Sequence, residues 1–218
     1  WDNQITDVSV LSEMTGLTRL ALDRNEISDV STLSNLTNLT WLNLGSNQVV
    51  DISALSGLTN LRELHLVDNQ IADLSSLSGL NGLTWLNVAS NEIVDVSALS
   101  SLTDLTWLSL YNNEVRDVAP LLSLSALTYL DLRVNPLNVA AYTTCLPQIK
   151  ANNPGMSLEY DQIGTFYTVD STADNTDLDG LITLRAAIQA ANTNTPVGDA
   201  LLGSDTETDV IQFAESLA

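Results

Sequence analysis

The chain has 218 residues, of which 44% are hydrophobic, so it can bury a sizeable core and does not have the composition of a disordered protein. Its net charge of −20 disfavours nucleic acid and anionic lipid as partners, because both require a cationic surface. Membrane insertion is also disfavoured, since no apolar run approaches the ~18 residues of a membrane span, and the single cysteine, Cys145, excludes an internal disulfide.

A repeat of 22 residues organises the first part of the chain, and each unit reads LxxLxLxxNxIxD[VI]SxLSxLT. The alternating leucines have the period of a β-strand, and a fixed repeat of this length indicates stacked units that bury a shared core. The first residues align with the middle of a repeat, which predicts that further sequence precedes Trp1. The recurring leucines are Leu17, Leu39, Leu61, Leu83, Leu105 and Leu127.

The asparagine of each repeat is predicted to lie inside the coil, where the chain turns out of the strand. Its amide can both donate and accept hydrogen bonds, so it can satisfy backbone groups of adjacent turns. We therefore predict a buried structural ladder and not a binding site. Its members are Asn25, Asn47, Asn69, Asn91, Asn113 and Asn135.

An aspartate recurs two positions before the short SxLS stretch of the repeat. Together with the serine that follows, it is predicted to cap the N–H groups of a short helical turn. A row of carboxylates can also bind cations, so calcium is an alternative for this column. The column consists of Asp7, Asp29, Asp51, Asp73, Asp95 and Asp117.

Over residues 1–135, this repeat resembles the bacterial internalin-like class of leucine-rich repeat proteins. The resemblance implies an α/β fold: a curved, right-handed solenoid with a parallel β-sheet on its concave face and short 3₁₀ segments on its convex side. Members of this family are typically cell-surface proteins that bind other proteins through the concave face. The resemblance therefore implies an extracellular or cell-surface location, a role such as adhesion, and a protein ligand.

The repeat period breaks after Asn135. Apolar residues from Val139 to Ile149 are spaced as in a helix, the sequence NNPG ends that helix, and MSLEY predicts one closing strand. We predict that residues 136–160 cap the array and cover its last leucines. Cys145 is predicted to lie in this cap as a small buried apolar group.

All four tryptophans occupy positions of the repeat that are predicted to point outward from the concave sheet, namely positions 3, 5, 7 and 8 of LxxLxLxxN. Large aromatic residues gathered on one exposed face are typical of a contact surface. The alternative is that these rings only stabilise neighbouring strands. The candidate ligand-binding residues are Trp41, Glu63, His65, Trp85, Trp107, Tyr111, Tyr129, Asp131 and Arg133.

The centre of this face is predicted at Trp85, Trp107 and Tyr129, which share position 3 on consecutive strands about 4.8 Å apart. Trp41 is separated from them by Glu63. Because the leucine core does not touch their outer faces, removal of Trp107 is expected to leave folding almost unchanged. A protein is the predicted ligand and a glycan the alternative. A structural spacer or filament subunit, with end-to-end self-association through open solenoid edges, is a third interpretation.

From residue 161 onward the repeat is absent. The segment DGLITLRAAIQAAN, followed by DVIQF, resembles the N-terminal capping segment of extracellular right-handed parallel β-helix proteins. Asp179-Gly180 and Leu184-Arg185 match that motif, whereas Ile182 and Ala186 depart from it. The resemblance implies that residues 161–218 begin a β-helix whose body lies beyond the end of this chain.

A partial calcium-loop pattern lies in the same segment, with Asn175, Asp177 and Asp179 as candidate ligands. Ala186 stands where such a loop places its closing acidic ligand. We therefore predict no required cofactor, with calcium as the alternative.

No catalytic constellation is evident in the sequence. His65 is the single histidine, and Asn43 and Asn87, its neighbours in the same column, are not nucleophiles. Glu63 and Asp131 lie three strands apart, about 14 Å, which exceeds the roughly 5–9.5 Å between the carboxylates of glycosidases. The sequence predicts a recognition module and not an enzyme.

Overall fold

The computed structural model describes residues 3–162 and the backbone of two further strands, at 166–169 and 210–213. The chain divides into two compact units, Trp1–Asp161 and Gln162–Ala218. Trp1, the calcium candidates Asn175, Asp177 and Asp179, and the predicted β-helix helix TLRAAIQAAN lie outside the described residues. In the second unit, β8 (Phe166–Val169) pairs in parallel with β9 (Val210–Phe213).

The first unit is built on a sheet of seven parallel strands that follow one another in chain order. The leucine at the centre of β2 to β6 is fully buried, and its two neighbours in the strand face outward. This arrangement confirms the predicted leucine-rich-repeat solenoid. The strands are β1 (Arg19–Ala21), β2 (Trp41–Asn43), β3 (Glu63–His65), β4 (Trp85–Asn87), β5 (Trp107–Ser109), β6 (Tyr129–Asp131) and β7 (Ser157–Glu159).

Register is constant along the sheet, so each position of the repeat stands beside the same position of the next repeat. Trp41 pairs with Glu63, Glu63 with Trp85, Trp85 with Trp107, and Trp107 with Tyr129. Columns read from the sequence are therefore real columns on the sheet.

Each repeat returns to the sheet through a short 3₁₀ helix whose first N–H group is bound by the repeat's aspartate. In the second repeat, the Asp29 carboxylate accepts a hydrogen bond from the Ser31 amide at 2.8 Å, and this bond lowers the Asp29 pKa. The cap residue itself is Val30, and no serine side chain caps the turn, so the predicted serine role was wrong. The 3₁₀ helices span Ser9–Leu11, Ser31–Asn35, Ser53–Gly57, Ser75–Leu77, Ser97–Ser101 and Ala119–Ser123.

The asparagine ladder forms as predicted. The Asn47 amide donates to the carbonyls of Leu22, Leu44 and Gly45 at 3.0, 2.9 and 3.2 Å, and its oxygen accepts from the Ile27 amide at 3.0 Å. The same four bonds recur at Asn69, Asn91, Asn113 and Asn135.

Burial of the ladder is less complete than the sequence predicts. Asn25, Asn113 and Asn135 are buried. Asn47 and Asn91 are only half-buried, as is Asn69. Because their hydrogen bonds are the same, the ladder depends on bond formation and not on full exclusion of water.

The last repeat is followed by a π-helical turn, Ala141–Cys145, which continues into α1 (Leu146–Asn152). Cys145 and Ile149 pack into the core, and burial raises the pKa of the Cys145 thiol. Strand β7 then joins the sheet beside β6. The predicted helix and closing strand are both present.

Within the described part of the chain, no helix has the length and apolar character needed to cross a membrane. The same residues contain no group of three or more histidine, cysteine or acidic side chains placed to hold a metal ion.

Position 8 of every repeat adopts a left-handed backbone conformation. The sequence places this position on the outward face, but the structure shows that it forms the turn that ends the strand. The residues and their φ angles are Arg24 (55°), Ser46 (52°), Asp68 (59°), Ser90 (52°), Asn112 (53°) and Val134 (57°).

Val134 is the most strained residue of this series, because the left-handed region is unfavourable for a β-branched side chain by roughly 1–2 kcal/mol. Val134→Asn is expected to raise the free energy of unfolding by about 1 kcal/mol, measured by urea denaturation. The reciprocal change Asn112→Val, at the same position one repeat earlier, is expected to lower it by a similar amount. Equal stability of both variants and the wild type would contradict this account.

Candidate functional site: the aromatic face of the sheet

Five aromatic residues on consecutive strands line the outward face of the sheet. We call this row the aromatic track, and all of its side chains are half-buried. Its members are Trp41 on β2, His65 on β3, Trp85 on β4, Trp107 on β5 and Tyr129 on β6.

The track is a tight stack at its centre. The rings of Trp85 and Trp107 lie 4.0 Å apart between centroids and 1° from coplanar. Trp107 and Tyr129 are 5.0 Å apart and inclined by 10°. The flat faces of these rings therefore cover one another. Such stacking also contributes to folding, so removal of Trp107 is not expected to be neutral for stability.

His65 fills the gap that separates Trp41 from the other aromatic residues. Its ring lies 5.5 Å from that of Trp41, inclined by 52°, and 6.3 Å from that of Trp85, inclined by 40°. Column 3 alone predicts a break here, because His65 stands in column 5. The signal in the sequence was His65 itself, an aromatic residue two positions after Glu63 on the same strand.

The electrostatic surroundings of His65 favour the neutral imidazole. Burial lowers its pKa below the usual value, and Arg19 acts in the same direction. The carboxylates of Glu63 and Asp23 raise the pKa but do not offset burial. Arg19 was not a predicted site residue, yet its guanidinium lies over the ring of Trp41, 4.6 Å from the centroid. It extends the track at the β1 end.

A second polar group lies at the other end of the track. The Arg133 guanidinium donates to both oxygens of Asp131, from Nε at 2.9 Å and from the terminal nitrogen at 2.6 Å. Arg133 also lies over Tyr111, 5.6 Å from the ring centroid. Asp131 is only 4% exposed, whereas Tyr111 is 38% exposed. A ligand can therefore reach Tyr111 and Arg133 more readily than the Asp131 carboxylate.

Charge and burial have opposite effects on the pKa of Asp131. Burial raises the pKa of Asp131, but the hydrogen bonds from Arg133 outweigh it and hold the pKa below its usual value. The Tyr129 hydroxyl donates to Asp131 at 3.3 Å, and burial together with the Asp131 charge raises the tyrosine pKa. The Asp131–Arg133 pair is therefore ionised at neutral pH.

Comparison with known proteins identifies the repeats. Residues 37–79 match the family model for "Leucine Rich repeats (2 copies)". No match was found among curated proteins. Solved structures give closer parallels over most of the chain.

Two internalins of Listeria monocytogenes are similar in structure and in sequence. The internalin inlF superposes with a TM-score of 0.67 at 31% identity, over 73% of this chain and 47% of its own. The internalin C2 superposes with a TM-score of 0.66 at 30% identity, over 85% of this chain and 76% of its own. This chain thus spans about half the length of inlF and most of internalin C2.

The plant peptide hormone receptor RGFR1, solved in complex with RGF2, has a TM-score of 0.62 at 23% identity, over 77% of this chain and 28% of its own. That likeness concerns the fold alone. The repeat motif, the sheet and the match to internalin C2 lead to one assignment: this chain belongs to the internalin-like leucine-rich repeat proteins.

Proposed function

We propose that this protein is a recognition module that binds a protein partner through the face that carries the aromatic track. The observation that supports this most directly is the position of the aromatic residues, since the core is already complete with leucine, isoleucine and valine. Aromatic and arginine side chains are the types that dominate binding energy at protein interfaces. Held on a rigid sheet, they lose little conformational entropy when a partner binds.

An extracellular or cell-surface location is part of this proposal, and its support is the membership in the internalin-like family. The leucine-rich repeat fold is also that of the plant receptor solved with RGF2. We further propose that residues 1–135 form the array, that 136–160 cap it, and that 161–218 contribute no ligand contact.

The geometry of the central stack, Trp85, Trp107 and Tyr129, favours a protein ligand over a glycan. A sugar ring packs against the open flat face of a tryptophan, but the flat faces of Trp85 and Trp107 cover each other at 4.0 Å. Trp107 is covered on its other side by Tyr129. Ring edges and the exposed Tyr111 suit an apolar protein surface better than a carbohydrate.

Screening of the labelled chain on arrays of extracellular protein domains and of glycans tests this proposal. We expect binding on the protein array, and Tyr111→Ala is expected to weaken it roughly tenfold, because this exposed ring lies beside the stack without supporting it. Gln70→Ala, an exposed residue in the turn after Asn69, serves as the matched control and is expected to bind as the wild type does.

Binding to glycans alone would contradict the protein ligand, and equal binding by Tyr111→Ala and the wild type would contradict the assigned face. Electron microscopy of the purified chain addresses the filament interpretation, since end-to-end assembly would produce particles much longer than one array.

A further inference from the structure

Glu63 on β3 interrupts column 3 of the sheet between Trp41 and Trp85. It is the one residue in column 3 of β2 to β6 that is not aromatic, and its register partners are Trp41 and Trp85. The side chain is half-buried. Among the described residues, its carboxylate has no hydrogen-bond or ion-pair partner. A carboxylate that is partly removed from water without a partner loses solvation that a cation could restore.

The rings are more open around Glu63 than elsewhere on the track. The His65 ring is inclined by 52° to Trp41 and by 40° to Trp85, whereas the central rings are within 10° of coplanar. The indole faces on the His65 side are therefore not covered by a coplanar ring. We call the group formed by Glu63, His65, Trp41 and Trp85 the Glu63 notch.

A guanidinium group fits this combination of chemistry. It is planar, it stacks on indole rings, and it donates two parallel hydrogen bonds to one carboxylate. The molecule already uses both contacts on this face. Arg19 lies 4.6 Å from the centroid of Trp41, and Arg133 pairs with Asp131 through two bonds. Asp131 has its arginine within the chain, whereas no arginine of the described residues pairs with Glu63.

The net charge of the whole chain also favours a cationic ligand. A net charge of −20 attracts cationic surfaces and accelerates their association at moderate salt. The track adds an apolar surface around the notch, which excludes water from a cation bound there. A neutral ligand would gain nothing from the long-range charge.

We propose that the Glu63 notch binds an arginine side chain of the protein partner, so that this partner presents an arginine surrounded by apolar residues. This inference rests on the proposed function and specifies the chemistry of its partner. The notch is the polar anchor of the interface, and the stacked rings on β4 to β6 are its apolar part.

N-acetyl-arginine methylamide, titrated into the full chain, is the probe for the notch. His65 is the single histidine of the chain, so its imidazole resonance reports binding without assignment of the whole spectrum. We expect a saturable shift of this resonance at millimolar probe. The uncharged citrulline analogue, which has nearly the same shape, and the lysine analogue are each expected to bind roughly tenfold more weakly.

Glu63→Gln keeps the shape of the side chain and removes its charge, and is expected to weaken probe binding roughly tenfold. Glu92→Gln removes the same charge from an exposed turn and is expected to change nothing. Equal binding of the citrulline or lysine analogue, or unchanged binding by Glu63→Gln, would overturn the assignment, as would a shift that does not saturate.

The two proposals fail in different ways. If Glu63→Gln binds the array-identified protein as tightly as the wild type does, the notch is wrong and the recognition role stands. If the arginine probe saturates but no protein binds, the notch stands only as an arginine-binding site and the recognition role is wrong.

Discussion

Replacing Asn69 with leucine is expected to lower the free energy of unfolding by about 3–5 kcal/mol. The Asn69 amide donates to the carbonyls of Leu44, Leu66 and Val67 at 3.0, 3.1 and 3.3 Å, and its oxygen accepts from the Val49 amide at 3.0 Å. Leucine makes none of these bonds, so backbone groups of two adjacent turns lose their partner at once. Urea denaturation followed by tryptophan fluorescence measures the loss.

Two further variants separate hydrogen bonding from the introduction of a leucine. Asn60→Leu removes one bond, to the Thr37 carbonyl at 2.9 Å, on an exposed turn, and is expected to cost at most about 1 kcal/mol. Asn69→Asp keeps the acceptor and removes the three donated bonds, so it is expected to be as damaging as leucine. Stability close to the wild type for either Asn69 variant would show that the ladder does not hold the turns together.

The architecture of the first unit could be predicted because its determinants are local and periodic. A leucine pattern of period 2 within a repeat of 22 residues leaves few ways to bury the apolar side chains other than stacking. The aspartate before each 3₁₀ helix was also recognisable, since a short side chain there can reach the amide two residues on. The serine role was wrong because several polar residues adjoin each turn, and composition does not show which one reaches the N–H group.

The left-handed turn at position 8 had only a weak signal in its residues. Asn112 and Asp68 are of types that favour this conformation, but Arg24 and Val134 adopt it as well. The backbone amide at this position donates to a carbonyl of the next repeat, as Ser46 does to Val67 at 2.7 Å, so stacking between repeats fixes this conformation. Tertiary contacts therefore override the local preference of the residue.

The site was predicted as a set of positions and not as an arrangement of rings. Constant register made the columns reliable, and five of the predicted residues do form one row. The inclination of each ring depends on rotamers that the repeat pattern does not encode. The break at Glu63 was predicted from the sequence, but its closure by His65 and the contribution of Arg19 were not.

Trp107→Ala is expected to weaken partner binding by about 2 kcal/mol or more, roughly thirtyfold, and to lower the free energy of unfolding by about 1–3 kcal/mol. The ring is stacked on both sides, 4.0 Å from Trp85 and 5.0 Å from Tyr129, so its loss removes two aromatic pairs and the centre of the contact surface. Binding to the protein that the array identifies gives the first quantity, and urea denaturation gives the second.

Asp95→Ala distinguishes a lost contact from a weakened fold. The Asp95 carboxylate accepts a hydrogen bond from the Ser97 amide at 2.8 Å, at the start of a 3₁₀ helix, so its removal is expected to cost about 1 kcal/mol of stability. Because this residue is not on the aromatic face, binding should be unchanged. If Asp95→Ala and Trp107→Ala lose affinity in proportion to their stability, the aromatic track serves to pack the strands. If only Trp107→Ala loses affinity, the stacked rings are both a structural support and the contact surface.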